Sequence, residues 1–188
     1  ETLSMIPLEM MEKVMGKNGV VIWKKANGID TAPVIPYSES KSVSTEKTFE
    51  TDNIDVVRLR EIIIAMTEKI AFRLRKQKKL TSCVTVKIRY SNFDTHTLQK
   101  RIPYTSLDHH LIAVSTELFD RIFQRRMLIR LVGVRFSHLV GGVQQLNMFE
   151  DTPEMSSLYM AMDRLRLRYG RNSIGRAVSI KSGSRQEQ

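Results

Sequence analysis

Between residues 40 and 142 the apolar residues change their spacing in a set succession, and this succession limits the fold more than any single motif does. Residues 40–49, rich in Ser, Thr and Val, read as a strand. Alternation puts Lys41, Val43, Thr45, Lys47 and Phe49 on one side, and Ser42, Ser44, Glu46 and Thr48 on the other. Asp52 reads as a helix cap with Asp55 in the first turn, and Leu59, Ile62, Ile63, Met66, Ile70 and Leu74 form the apolar stripe that follows. Arg73, Arg75, Lys76, Lys78 and Lys79 close that helix as a solvated basic end, complementary to its dipole. Residues 82–90 alternate again, with Val84, Val86, Ile88 and Tyr90 inward and Cys83, Thr85, Lys87 and Arg89 outward. After a turn at 91–94, residues 95–104 return with Leu98 and Ile102 inward and Thr97, Gln99 and Arg101 outward. Ser106 starts a second helix, with Leu111, Val114, Leu118, Ile122 and Phe123 on its buried stripe. Residues 127–139 form a nearly all-apolar strand interrupted by Arg130 and Arg135. Gly133 within it marks a bulge or a close backbone approach, which leaves the face of the two arginines open.

Strand, helix, strand, strand, helix, strand is the ferredoxin-like order, an α+β arrangement with both helices on one face of one antiparallel sheet. The opening strand is then expected in the middle of the sheet, with Ser42, Ser44 and Thr48 on the uncovered face. Small hydroxyl side chains let an anion approach the main chain, and Lys87, Arg89, Gln99 and Arg101 bring donors to the same side. A plain solvated face has the same pattern.

Upstream, Pro7 opens a helix with Leu8, Met11, Val14 and Met15 at helical spacing. Residues 16–19 break it, and 20–26 form a second helix anchored by Trp23 and closed by Asn27-Gly28. Residues 1–30 thus outline either a phosphate-binding helical hairpin or a plain αα-hairpin. Residues 31–39, with Pro33 and Pro36, read as an extended linker. Past Gly141-Gly142, residues 143–188 form a tail. In it Gln145-Leu146-Asn147-Met148-Phe149 stands in a polar stretch, and Thr152-Pro153-Glu154 starts a short helix with Leu158, Met162, Leu165 and Tyr169 as its stripe. From Lys181 onward the composition reads as disordered.

Lys and Arg number 30 against 20 Asp and Glu in 188 residues, a formal charge of +10 that points to nucleic acid or another anionic partner. Cys83 is the single cysteine, which excludes an intrachain disulfide and a Cys-based zinc site and fits a cytoplasmic protein. No apolar run reaches ~18 residues, so no membrane span is expected. Glu1 is not an initiator methionine, which leaves room for sequence upstream. The sequence shows no glycine-rich nucleotide loop, no His-Glu-x-x-His motif and no carboxylate cluster suited to two metals. His96, His109, His110 and His138 read as surface or capping residues. No catalytic or metal-ligating residue is assigned, and the chain reads as a binder.

Four stretches together carry a family resemblance. Met15-Gly16-Lys17-Asn18-Gly19, followed by Trp23-Lys24-Lys25-Ala26-Asn27-Gly28-Ile29-Asp30, is similar to the end of the thumb in Y-family DNA polymerases. Residues 40–49 resemble the first strand of that family's little finger, and Leu131-Val132-Gly133-Val134-Arg135-Phe136-Ser137-His138-Leu139 resembles its last. Residues 145–149 are similar to the clamp-binding pentapeptide Gln-Leu-x-Leu-Phe, with Met148 where Leu is commoner. The nearest group is the bacterial DinB type, DNA polymerase IV-like.

The resemblance implies the C-terminal part of an error-prone translesion DNA polymerase active in DNA repair. Residues 1–30 would end the thumb, 40–142 form the little finger, and 143–188 carry the clamp-binding tail. It implies a palm and fingers outside this sequence, with the acidic residues that hold Mg²⁺. No cofactor is therefore expected here, and this chain alone is expected to be inactive. Contacts with the backbone of double-stranded primer-template DNA fall to Gly16, Lys17 and Gly19 in the hairpin. In the little finger they fall to Lys41, Ser42, Ser44, Thr48, Lys87, Arg89, Arg101, Arg130 and Arg135. Gln145, Leu146, Met148 and Phe149 would engage the hydrophobic pocket of a sliding clamp (β-clamp). A monomer is expected. The shortest family members stop near the clamp motif, so this chain's later residues depart from them. The alternative from another class is an RNA-binding module of the same element order. It requires aromatics on the open face, where the outward positions are Lys, Arg, Thr and Gln.

Overall fold

Gly16, at φ +61° and ψ −146°, divides the first two helices, α1 (Leu8–Met15) and α2 (Lys17–Ala26). Only glycine takes that conformation without strain. The structure is a computed structural model that describes residues 2–34, 39–123, 127–142, 153–170 and 172–177. Its contacts separate a first unit, Glu1–Glu39, from a second, Ser40–Gln188. In the first unit α2 begins at Lys17, earlier than the expected residue 20, so Gly19 lies inside the helix. Packing explains this glycine, because a Cβ there would sit 2.1 Å from the Met11 carbonyl oxygen. The Trp23 indole donates to the Ile6 carbonyl at 2.7 Å. Gly28, at φ +74°, ends α2 with the Ile29 amide on the Lys24 carbonyl at 2.8 Å.

The second unit follows the expected element order: β1 (Ser42–Asn53), α3 (Val56–Lys76), β2 (Lys79–Tyr90), β3 (Thr95–Thr105), α4 (Asp108–Ile122) and β4 (Ile129–Ser137). A short β5 (Val140–Gly141) and α5 (Pro153–Tyr169) come after it. The strands pair antiparallel in the order β1-β4-β2-β3, with β5 beside the start of β2. The ferredoxin-like α+β element order holds, but the opening strand is at the sheet edge and not in its middle. The residues explain why. β4 sets Val132, Val134 and Phe136 beneath the helices and bonds to β1 and β2 along its two edges, which suits a central position. On their helix-side faces β1 carries Lys47 and β3 carries Lys100, and inward-pointing lysines are how edge strands resist further pairing.

The core lies between the sheet and the two long helices. Val84, Val86, Ile88 and Tyr90 of β2, with Val132, Val134 and Phe136 of β4, meet Leu59, Ile63, Ile70 and Leu74 of α3 and Leu111, Leu118 and Phe119 of α4. Burying each such side chain contributes about 2 kcal/mol. Asp55, not Asp52, caps α3, with its carboxylate accepting from the amides of Val57 and Arg58 at 3.0 and 3.1 Å. β1 runs on through Asn53, whose side-chain oxygen takes the Asp55 amide.

α5 departs from its expected stripe. Met162 is half-buried, whereas Leu158, Leu165 and Tyr169 are exposed, and the buried residues are Tyr159 and Arg166. The helix docks on α3 and α4 through charge. Arg75 donates to Asp163 from Nε at 2.6 Å and from Nη2 at 3.0 Å, and to the Ser106 carbonyl at 2.7 Å. A further bond goes to Asp108, and the Tyr159 ring centroid lies 5.4 Å from the guanidinium. Burial by itself would lower the Arg75 pKa; Asp163 and Asp108 outweigh it and hold the group above its ordinary range. The Tyr159 hydroxyl accepts from the His109 amide at 3.2 Å and from Arg176 at 3.3 Å, while burial and the charge on Asp108 raise its pKa. Arg176 also pairs with Glu68 at 2.9 Å. Arg75 is therefore an internal cation, not part of a solvated helix end. Apolar spacing within α5 cannot reveal this, because its partners on α3 and α4 select the docked face.

Candidate nucleic-acid interface

Cross-strand register orders the sheet face that points away from α3 and α4. Ser42, Ser137, Cys83 and Arg101 form one row across β1, β4, β2 and β3. Ser44, Arg135, Thr85 and Gln99 form the next, then Glu46, Gly133, Lys87 and Thr97, then Thr48, Leu131, Arg89 and Thr95. No aromatic side chain stands in these rows. The sequence placed Ser42, Ser44, Thr48, Lys87, Arg89, Arg101 and Arg135 among its candidates, and the fold brings all of them to this one face.

Their circumstances differ. Arg101 and Arg135 are exposed, and neither has a carboxylate partner among the described residues. Lys41 joins them, although alternation had grouped it with Val43. The strand begins only at Ser42, and Lys41 lines a depression with Thr85, Gln99, Arg135 and Ser137. That depression adjoins a groove lined by Ser42, Ser44, Thr97 and Gly133. Lys87 and Arg89 are half-buried and already engaged, Lys87 with Glu46 at 3.0 Å and Arg89 with the Thr95 hydroxyl at 2.9 Å. The result is a floor of small polar groups bordered by Lys41, Arg101 and Arg135, which have no carboxylate partner among the described residues.

Other candidates fall elsewhere. The β2–β4 register shifts between Leu131 and Ile129, which sets Arg130 in the irregularity. Its guanidinium lies 4.9 Å from the ring centroid of Phe93, which sits at φ +67° in the β2–β3 turn. Gly133 is not the bulge; it marks a close approach, since a Cβ there would be 2.9 Å from Glu46 Cγ. Cys83, outward by alternation, is only 1% exposed. In the helical hairpin Gly16 caps α2 without a side chain, so the first-turn amides of Lys17 and Asn18 have no capping acceptor. Gly19 is turned inward and its amide bonds the Gly16 carbonyl at 2.9 Å, which removes it from the contact surface. Gln145, Leu146, Met148 and Phe149 lie outside the described residues.

Sequence reasoning missed two features of the face. Alternation puts Glu46 on the side of Ser42, Ser44 and Thr48 without showing that it reaches Lys87, and His138, at φ +53°, lines the depression beside Arg135. Among the described residues no three His, Cys, Asp or Glu side chains gather closely enough to hold a metal ion. No helix among them is long and apolar enough to cross a membrane.

Residues 40–148 match the impB/mucB/samB family C-terminal domain. The chain belongs to the impB/mucB/samB family. The impB/mucB/samB match begins at residue 40, where the second structural unit begins, and takes in the whole four-stranded sheet. A DNA polymerase IV of Dehalococcoides mccartyi is 32% identical over 95% of this chain and 47% of its own length. A DNA polymerase IV of Clostridium kluyveri is 32% identical over 92% of this chain and 45% of its own, and one of Methanoculleus marisnigri 34% identical over 68% and 36%. The chain spans about half the length, or less, of these curated relatives. The resemblance to the C-terminal region of Y-family polymerases, read from four stretches of sequence, is borne out.

Proposed function

We propose that this chain is the DNA-holding and clamp-docking portion of a translesion DNA polymerase, a cytoplasmic, monomeric DNA-directed enzyme. The observation that carries the reading is the uncovered sheet face, where exposed Lys41, Arg101 and Arg135 border a floor of Ser42, Ser44, Thr85 and Gln99. Exposed cations without internal partners release counterions when phosphates replace water around them, and this term is indifferent to base sequence. The short side chains of the floor allow phosphate oxygens to come near the strand backbone, a contact that fixes position without reading bases. A bypass polymerase needs that kind of grip, because its template is damaged and its sequence context arbitrary. The absence of aromatics from the rows disfavours the RNA-binding alternative, which depends on base stacking. Lys17 and the open amides of α2 offer a second phosphate contact in the first unit.

Nucleotidyl transfer by two Mg²⁺ ions requires clustered carboxylates. The described residues gather no such cluster and do not fit the ions, so the share of the reaction assigned to this chain is positioning. The pentapeptide ending in Met148 and Phe149 supplies two adjacent apolar anchors for a clamp pocket, with Gln145 as the hydrogen-bonding partner beside them.

The test is a titration of the chain with primer-template duplex at about 50 and about 200 mM salt. Affinity is expected to fall by tenfold or more between them; equal affinities would remove the reading. As a second arm, Met148→Ala with Phe149→Ala is expected to abolish binding to a sliding clamp while leaving duplex binding intact.

A further inference from the structure

Glu46 crosses the middle of the open face. It projects from the edge strand β1, passes over Gly133 of β4 and meets Lys87 of β2, with 3.0 Å between carboxylate and ammonium. Glycine at 133 permits the crossing, because a Cβ there would press to 2.9 Å from Glu46 Cγ. Across the four paired rows Glu46 is the one acid. The side chains of Lys87 and Glu46 are 28% and 45% exposed, so the pair is screened by solvent and readily exchanged.

We propose that Glu46 is an internal stand-in for phosphate that moderates the grip at the centre of the DNA-binding face. This rests on the reading of that face as the duplex contact. A carboxylate oxygen and a phosphate oxygen make the same charge-assisted bond to a lysine ammonium. With the face empty, Glu46 holds Lys87 across β4. When duplex arrives, a phosphate takes the ammonium and the released carboxylate lies among like charges, which subtracts from the affinity Lys87 adds. A polymerase must release each phosphate as the duplex advances. Here a carboxylate already within reach receives the ammonium at that moment, so the central contact is made and broken without leaving a bare cation.

The test is a double-mutant cycle in the full 188-residue chain, with Glu46→Gln, Lys87→Met and both together, titrated with primer-template duplex across a salt series. Glu46→Gln is expected to bind about threefold more tightly, with the slope of log affinity against log salt steeper by about 0.9. Lys87→Met is expected to cost little in the wild-type background and about threefold in the Glu46→Gln background, so that Glu46→Gln gains nothing once Lys87 is gone. An equal cost of Lys87→Met in both, with an unchanged slope for Glu46→Gln, would overturn the proposal while leaving duplex binding in place. Loss of salt-dependent binding by the wild type would strike the functional reading instead, so the two failures are distinguishable. Gly133→Ala changes no charge but displaces Glu46, and is expected to tighten binding in the same direction. Wild-type affinity for Gly133→Ala beside a tighter Glu46→Gln would overturn the part assigned to the glycine.

Discussion

Arg75 and Arg135 carry the same group in opposite circumstances within one structural unit. The Arg75 side chain is 13% exposed, and its donors meet Asp163, Asp108 and the Ser106 carbonyl. Arg135 is exposed, lies between Ser44 and Thr85 in register, and has no carboxylate partner among the described residues. Removing a guanidinium from water costs several kcal/mol, which close pairing must offset, so Arg75 is committed to holding α5 in place. Arg135 keeps its hydration and its donors, and its field reaches outward about a Debye length, ~10 Å at 0.1 M salt. A charge of +10 therefore says little about binding until the acids are located. On the helix side Asp108, Asp163 and Glu68 occupy the cations near them, whereas the open side has Glu46 alone within its rows.

The contrast can be broken in three ways. The largest effect is expected from Arg75→Ala, which leaves the fully buried Asp108 carboxylate without its cation. About 3 kcal/mol of stability should be lost in a urea melt, and the amides of α5 should lose protection from hydrogen exchange. Unchanged stability would mean that apolar contacts hold α5 after all. Next, Ser42→Glu with Ser44→Glu sets two carboxylates on the floor beside Arg135. Duplex affinity at low salt is expected to fall about tenfold with the melting temperature unchanged, and wild-type affinity would move the contact surface elsewhere. Smallest is Arg135→Ala, expected to weaken binding a few-fold and to flatten the salt slope by about 0.9. An unaltered slope would show that this arginine, though exposed, meets no phosphate.

The sequence was most informative where one element meets a single continuous core. Val84, Val86, Ile88 and Tyr90 alternate cleanly because they pack beneath both helices, and Leu59, Ile63, Met66, Ile70 and Leu74 repeat cleanly for the same reason. Alternation assigns faces and not neighbours, so it could gather the candidate donors on one side of the sheet yet place β1 wrongly within it. Lys47 was the available sign of an edge strand. The shift of the α3 cap from Asp52 to Asp55 follows from a strand whose Thr and Glu residues run on to Asn53 without an apolar marker. Arg130 was not legible because its position depends on an irregularity near Leu131, and Glu46 was not because its partner lies two strands away across Gly133. The leucine spacing of α5 marks one face, whereas charged groups on other helices decide its orientation.

β5 is only two residues long, paired with Lys79 and Leu80, and followed by a bond from the Gly142 amide to the Lys78 carbonyl. Tension entering the chain between residue 142 and the docked α5 would meet these few main-chain bonds on its way to the sheet. They can peel one at a time, yielding about 10 Å of slack. The next strand inward, β4, is bonded along both of its edges and would have to shear two ladders together. A pull applied ahead of α5 is thus taken up by a short sacrificial zipper before it can disturb the sheet.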